Sequence, residues 1–416
     1  MEKLKAISLN GRYVLMAFFL IIGVFFSFHL VHQPVIDWDE EVYLHLSKQM
    51  AWNLERYTTQ NSYIDRQLPQ GYYQSPLFHH PPLVPLGIKL LSFAGFLVGA
   101  KILNLILWCT SIFLIFAIAS KVTDLKGTLL ALVLWVICPM VNLEARLVHL
   151  DFPATVLTLL GFWSFLKYQD QVSRPIYLVG SGIAFALAML TKYTGPLLVS
   201  LPAFLFLANR DRLKDWKTWV IYGATISFGF VWWLYIYLRF GSIIPPGFGG
   251  EEINRHVTTY LNSISKRQWY DLWIYFLAIC PLFLIYLAGI GKKVFDLIGR
   301  RRMFPAISNE IRSLIAANAG IWIFVLIFSL INSQTNGYWV FRHIMPVFPI
   351  IYISLGAICS RILDRDQELI NSFLIACIFF TLVTMISSTA VTGLEVRNLK
   401  PIPVSLYWLK MGHLFH

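Results

Sequence analysis

Apolar stretches of roughly 17–23 residues recur from near the start of the chain almost to its end, and each is long enough for an α-helix to cross a bilayer. Backbone groups in hydrocarbon must bond within their own structure, so only helices and closed barrels span membranes. A barrel would show alternating segments of about ten residues, which this chain lacks. The chain has 416 residues, is 57% hydrophobic and only 13% charged, and has a mean hydropathy of +0.63. No soluble domain has that balance. The expected fold class is an all-α polytopic membrane protein. The first run, about residues 13–32, exceeds a signal-peptide core and lacks a small-x-small cleavage site, so it reads as a retained first span.

Charge sets the topology. A net charge of +12 raises the question of nucleic acid, but the basic residues sit in short loops between apolar runs, as the positive-inside rule requires. Nucleic acid is not an expected partner; the bilayer is. Lys3, Lys5 and Arg12 precede the first run and place the N-terminus in the cytoplasm. Residues 83–99 are apolar but short, carry Lys89 and three glycines, and are assigned to the interface. Spans then follow at about 102–120, 127–143, 153–167, 176–190, 195–208, 218–238, 271–290, 314–331, 344–360 and 369–391. With the first, that makes about eleven transmembrane helices. More than half of the 34 Lys and Arg fall in the short cytoplasmic segments, above all at 291–313. Residues 1–416 read as one integral-membrane domain, with 33–100 as a long first outer loop holding juxtamembrane helices and with no large soluble C-terminal domain. Within that loop 39–55 reads as an amphipathic interfacial helix, with Val42, Leu46, Met50 and Leu54 on one face. The five cysteines lie in apolar runs and read as packing residues.

This topology gathers the chemistry-bearing residues on the outer face. Asp37-Trp38-Asp39-Glu40-Glu41 is a carboxylate cluster just past the first span, in a chain poor in acids. Crowded carboxylates repel, and one at a helix start is stabilised in its ionised form by the helix dipole. His79-His80-Pro81-Pro82 fixes an extended or turn backbone that presents imidazoles at the interface. Glu144-Ala145-Arg146-Leu147-Val148-His149-Leu150-Asp151 packs acids, a base and an imidazole beside the membrane; Asp151 also suits a helix start before Pro153. Lys192 sits in a tight turn, where it either snorkels or meets a phosphate. Arg342 follows an aromatic belt, Tyr338-Trp339-Val340-Phe341, and suits a lipid phosphate because guanidinium pairs bidentately with its oxygens.

Asp39-Glu40 followed by Tyr43, then His80-Pro81-Pro82-Leu83, Arg146 with Asp151, Leu190-Thr191-Lys192, and Arg342 with Pro346 and Pro349 resemble the GT-C superfamily of integral-membrane glycosyltransferases. Within it the pattern is most like the protein O-mannosyltransferase and lipid A aminoarabinose transferase branch, over about residues 10–350. The resemblance implies a glycosyltransferase of the cell membrane, its active site on the outer face, moving a sugar from a polyprenyl-phosphate donor to a protein, lipid or glycan acceptor. It implies that Asp39 matches the first-loop catalytic acid, with Glu40 beside it, and that Asp151 matches the second-loop acid. His79, His80, Arg146, Lys192, Arg342 and Tyr43 fall to substrate binding. Some members hold a divalent metal ion at the second-loop acid, which here implies Asp151 with His149. The soluble domain inserted in eukaryotic O-mannosyltransferases has no counterpart in this sequence.

A sugar leaving from phosphate departs as a stabilised anion, so the chemistry needs one base for the acceptor proton and cations for the phosphate. A single displacement inverts the anomeric carbon. The rival reading is a transporter or flippase of a lipid-linked substrate, which would place ionisable residues near the membrane midplane in repeated halves. The spans here are nearly free of charge and show no repeat. Cysteines introduced at positions 60 and 255 should react with an impermeant maleimide from outside, and one at 300 only from inside. Labelling of 300 from outside would overturn the arrangement.

Overall fold

The computed structural model describes residues 38–50, 56–58, 80–138, 141, 144–145, 147–171, 174–192, 195–209, 216–241, 283, 285–289, 308–331 and 342–363. The expected first span, most of 271–290, the loop 291–307 and the span at 369–391 lie outside them. Among the described residues every regular element is a helix. A short juxtamembrane pair comes first, α1 (Trp38–Gln49) and α2 (Leu83–Leu90). Then come α3 (Phe96–Val122), α4 (Leu125–Ile137), α5 (Asp151–Asp170), α6 (Pro175–Met189) and α7 (Ser200–Ala208). The chain continues through α8 (Trp216–Ser227), α9 (Val231–Phe240), α10 (Asn309–Ile331) and α11 (Val347–Leu363).

Among the described residues, three stretches are long and apolar enough to cross a membrane: Phe96–Val122, Trp216–Arg239 and Asn309–Phe328. Shorter apolar helices fill the space between them. The helix α2 has eight residues, about 12 Å at 1.5 Å per residue, and so cannot cross. The chain leaves it through a 3-10 turn and Gly95, whose φ of 107° is a conformation open to glycine, before α3 begins.

Two boundaries differ from the sequence reading, each for a physical reason. The helix α3 starts at Phe96 rather than 102 because it carries Lys101 and Asn104 inside its first turns, both buried and both bonded. The run expected as one span at 218–238 is interrupted by a 3-10 turn at Phe228–Phe230 between α8 and α9. The helix expected over 39–55 ends at Gln49, and 51–55 lie outside the described residues.

Lipid tails give helices no hydrophobic reason to associate, so close packing and polar contacts must hold the bundle. The helix α5 packs along α6, α4 along α11, α7 along α10, and α8 against α6. A core of large side chains, among them Trp135, Phe152, Phe162, Phe165 and Phe185, lies fully buried. Gln169, Asn209 and Ser313 form a closed polar knot joining α5, the end of α7 and α10: Gln169 donates to Asn209 at 2.6 Å, and Ser313 to Gln169 at 3.0 Å. Asn318 takes the Tyr286 hydroxyl at 2.6 Å and donates to Ser354 at 2.9 Å, tying α10 to α11. Lys121 and Asp170 pair at the same end of the bundle as the Gln169 knot.

The helices α4 and α11 approach each other backbone to backbone. A Cβ added at Gly356 would fall 2.2 Å from the Gly127 carbonyl oxygen, and one at Gly127 would fall 2.4 Å from the Gly356 oxygen. Backbone meets backbone there, and no side chain can move aside. Gly356→Val should therefore force the two helices apart and cost at least about 2 kcal/mol, in the range of core overpacking. Thermal unfolding of the detergent-purified variant checks this; a melting temperature equal to wild type would overturn it.

Candidate active site

The ends of α5, α6 and α11 opposite the Gln169 knot meet the start of α1, and the charged residues sit where they meet. The first turn of α1 holds Asp39, Glu40 and Glu41, where carboxylates complement the helix dipole. Consecutive helical residues point about 100° apart, so Asp39 and Glu40 face different neighbours. Asp39, partly exposed, pairs with Nη2 of Arg342. Glu40 is fully buried and faces away, accepting the backbone N–H of Val148 at 2.8 Å. Placing Glu40 beside Asp39 as a second acid at the reaction centre is therefore not what the geometry supports.

Asp151 is the first residue of α5, and each of its oxygens has a cation. Lys192 donates to Oδ1 at 2.5 Å, and Arg342 Nε donates to Oδ2 at 3.0 Å. Arg342, near the end of the described chain, thus bridges Asp151 and Asp39, which lies near its start. Lys192 also lies 2.9 Å from Nδ1 of His343. An ammonium has only protons to offer, so Nδ1 is the acceptor and His343 is neutral with its proton on Nε2. Burial, with Lys192 and Arg342 close by, holds His343 well below the usual imidazole range. Burial also pushes Lys192 down, to about 8, although Asp151 pulls in the other direction. Tyr43 is buried behind Asp39, and burial together with that carboxylate raises its phenol, so it stays protonated. The ring of His80 stands edge-on to Tyr43, with centroids 5.7 Å apart.

The structure thus brings Asp39, Asp151, Lys192 and Arg342 into contact and sets Tyr43 and His80 beside them. His79, Arg146 and Asp37 lie outside the described residues. The metal assignment needs correction. His149 Nδ1 is 2.8 Å from Glu144 Oε2, with both side chains fully buried. Asp151 is taken up by two cations. A divalent ion at Asp151 would sit against Lys192 and Arg342, and among the described residues no three His, Cys, Asp or Glu side chains gather to ligate one. The residues described do not fit a metal at Asp151. His343 was missed as a site residue; its signal was an ionisable ring directly after Arg342 at the start of an apolar run.

The all-α bundle that carries these residues has counterparts in solved structures. ArnT from Cupriavidus metallidurans bound to undecaprenyl phosphate superimposes with a TM-score of 0.56 at 18% identity, over 95% of this chain and 74% of that one. The oligosaccharyltransferase of Archaeoglobus fulgidus, in complex with Zn and sulfate, superimposes with a TM-score of 0.55 at 15% identity, over 88% of this chain and 52% of that one. The same archaeal enzyme, AglB, in complex with an inhibitory peptide and a dolichol-phosphate matches with a TM-score of 0.52 at 13% identity, over 88% of this chain and 55% of that one. The chain shares the all-helical polytopic fold of these proteins, the fold class expected from the sequence. Residues 79–236 match the family model described as dolichyl-phosphate-mannose-protein mannosyltransferase, so the resemblance to the O-mannosyltransferase and aminoarabinose transferase branch holds beyond the motifs. That segment contains His80, Asp151 and Lys192; Asp39 and Arg342 lie on either side of it. No curated protein sequence matches the chain.

Removing one partner of a buried ion network leaves charge uncompensated, at a cost of about 3–5 kcal/mol. Arg342→Met, which unpairs Asp39 and one oxygen of Asp151, should lower stability by that order. Thermal unfolding in detergent measures it. A loss under about 1 kcal/mol would mean the bridge carries no more than a surface pair does.

Proposed function

We propose that this chain is a membrane glycosyltransferase that moves a sugar from a polyprenyl-phosphate donor to an acceptor at the outer face of the cell membrane, with Asp39 as the base and inversion at the anomeric carbon. The observation that carries the reading is Arg342 bridging Asp39 and Asp151 with Lys192 on the far oxygen of Asp151. The structural counterparts point the same way: one is bound to undecaprenyl phosphate and another is in complex with a dolichol-phosphate.

The chemistry follows from those contacts. A donor phosphate is an anion that competes for the Arg342 guanidinium. Its arrival draws Arg342 from Asp39 and frees that carboxylate, the more exposed of the two, to accept the proton of the incoming hydroxyl. Charge then builds on the departing phosphate. Arg342 and Lys192 stabilise it from a site largely closed to water, where such contacts are stronger than in solution. Asp151 keeps both cations in place, because a carboxylate at the first turn of α5 is favoured by the helix dipole and grips each through a separate oxygen. Tyr43 and His80 form the wall beside Asp39 and are assigned to the sugar; His79 and Arg146 are assigned to the substrate from their sequence positions. No step here needs a metal ion.

Orientation rests on charge. Lys121, Lys126, Lys167 and Arg174 lie at the bundle end away from the site, which by the positive-inside rule supports an outer site and a cytoplasmic N-terminus. A transporter would centre its ionisable residues within the spans, whereas these gather at helix ends.

Purified wild type and Asp39→Asn should be mixed with a panel of polyprenyl-phosphate sugars, and free polyprenyl phosphate followed by mass spectrometry. Wild type should release it, and Asp39→Asn should turn over at least about a hundredfold more slowly at near-normal expression. Full activity in Asp39→Asn would remove the base assignment; no release by wild type from any donor would remove the transferase reading.

A further inference from the structure

The peptide unit joining Leu147 and Val148 is held at both ends by side chains. Its carbonyl, on Leu147, accepts from Nδ2 of Asn104 at 2.8 Å. Its N–H, on Val148, donates to Oε1 of Glu40 at 2.8 Å. The same Glu40 oxygen lies 3.6 Å from Nζ of Lys101. Lys101 and Asn104 are three residues apart on α3 and therefore share a face. Glu40, Lys101, Asn104, Leu147 and Val148 are all buried.

Buried backbone polar groups need partners, and most find them in helices or sheets. This one lies in a turn, so side chains alone set the tilt of its plane. The location matters because the turn ends in Asp151, three residues on, while Glu40 is the residue after Asp39. A lysine in a membrane helix is costly unless it is paired, and it marks function more often than packing. Resting on the transferase reading above, we infer that Lys101, Asn104 and Glu40 are positioning residues that fix the Leu147–Val148 peptide unit and through it the placement of Asp151 against Asp39. They act on the distance between the two acids that Arg342 bridges.

The variants that test this separate the oxygen of Glu40 from its charge. Glu40→Gln keeps an acceptor for the Val148 N–H but removes the negative charge facing Lys101. Glu40→Gln with Lys101→Met keeps the acceptor and removes both charges. Glu40→Ala removes the acceptor. In the full chain, using the polyprenyl-phosphate sugar that wild type consumes, Glu40→Ala should lose about a hundredfold in kcat with little change in donor KM, the signature of misplaced groups and not of lost binding. Glu40→Gln should lose about tenfold, and the double variant should return to within about threefold of wild type, because coupled partners do not add. If Glu40 handled a proton, the double variant would be no better than Glu40→Gln, and the inference would fall. It would fall equally if Glu40→Ala turned over like wild type. Where Glu40→Ala does not fold, the comparison of single with double variant still decides.

Hydrogen exchange read by mass spectrometry gives an answer independent of turnover. The Val148 amide should exchange slowly in wild type and in the double variant, and rapidly in Glu40→Ala or, should that fail to fold, Glu40→Leu. Slow exchange in Glu40→Ala or Glu40→Leu, which lack the acceptor oxygen, would overturn the grip on the peptide. If wild type releases no polyprenyl phosphate from any donor, the transferase reading fails while the exchange data still judge the grip.

Discussion

A carboxylate buried among membrane helices is stable only when cations meet it, because taking a charge out of water costs several kcal/mol even after the protein relaxes. Asp151 meets that condition twice. Lys192 reaches it from 41 residues away and Arg342 from 191. Arg342 extends the constraint to Asp39, 303 residues distant in sequence. Four helix ends are thereby committed to one place before any substrate is considered. The start of α1, the start of α5, the turn after α6 and the lead into α11 cannot drift apart without exposing an unpaired charge to a medium that will not solvate it.

The rest of the bundle serves that convergence. At the far end the Gln169, Asn209 and Ser313 knot and the Lys121–Asp170 pair fasten α3, α5, α7 and α10 to one another. Between the ends contact is mainly by shape, with Asn318 and Ser354 bonding α10 to α11. Gly127 and Gly356 let α4 and α11 approach backbone to backbone, and aromatic side chains fill the wider gaps between α3, α5 and α6. Polar fastening at both ends with dry packing between is a reasonable solution where water contributes nothing to helix association. It also fixes the helix ends closely enough for an ion network of four side chains to close.

Most of the scaffold could be read from hydrophobic periodicity and charge. The span expected at 176–190 is α6 at Pro175–Met189, and the one at 153–167 is α5 at Asp151–Asp170. Errors arose where a polar residue belongs inside a helix. Lys101 looked like a boundary in sequence because its partner, Glu40, lies 61 positions away in the numbering and no local pattern reveals it. The same limit governs the site. Asp39, Asp151, Lys192 and Arg342 stood out as ionisable residues beside apolar runs, and the topology put them on one face. It could not say which acid met which base. A metal was expected at Asp151 with His149 because the family resemblance implied one at the second-loop acid; the fold gives Asp151 two cations and pairs His149 with Glu144. His343 carried no signal of its own beyond its place after Arg342 at the start of an apolar run.

The two carboxylates and two cations of the network sum to zero, with His343 neutral between them. A site of that kind casts little field beyond its own walls, and the Debye length trims what remains. On the proposed function, an anionic lipid is not drawn in from a distance; it is recognised only after contact, by trading places with Asp39 at the guanidinium. Ordinary membrane phospholipids also carry phosphate and greatly outnumber any sugar carrier. Because their charge alone gains them nothing here, the enzyme would be spared from saturation by the very membrane in which it sits.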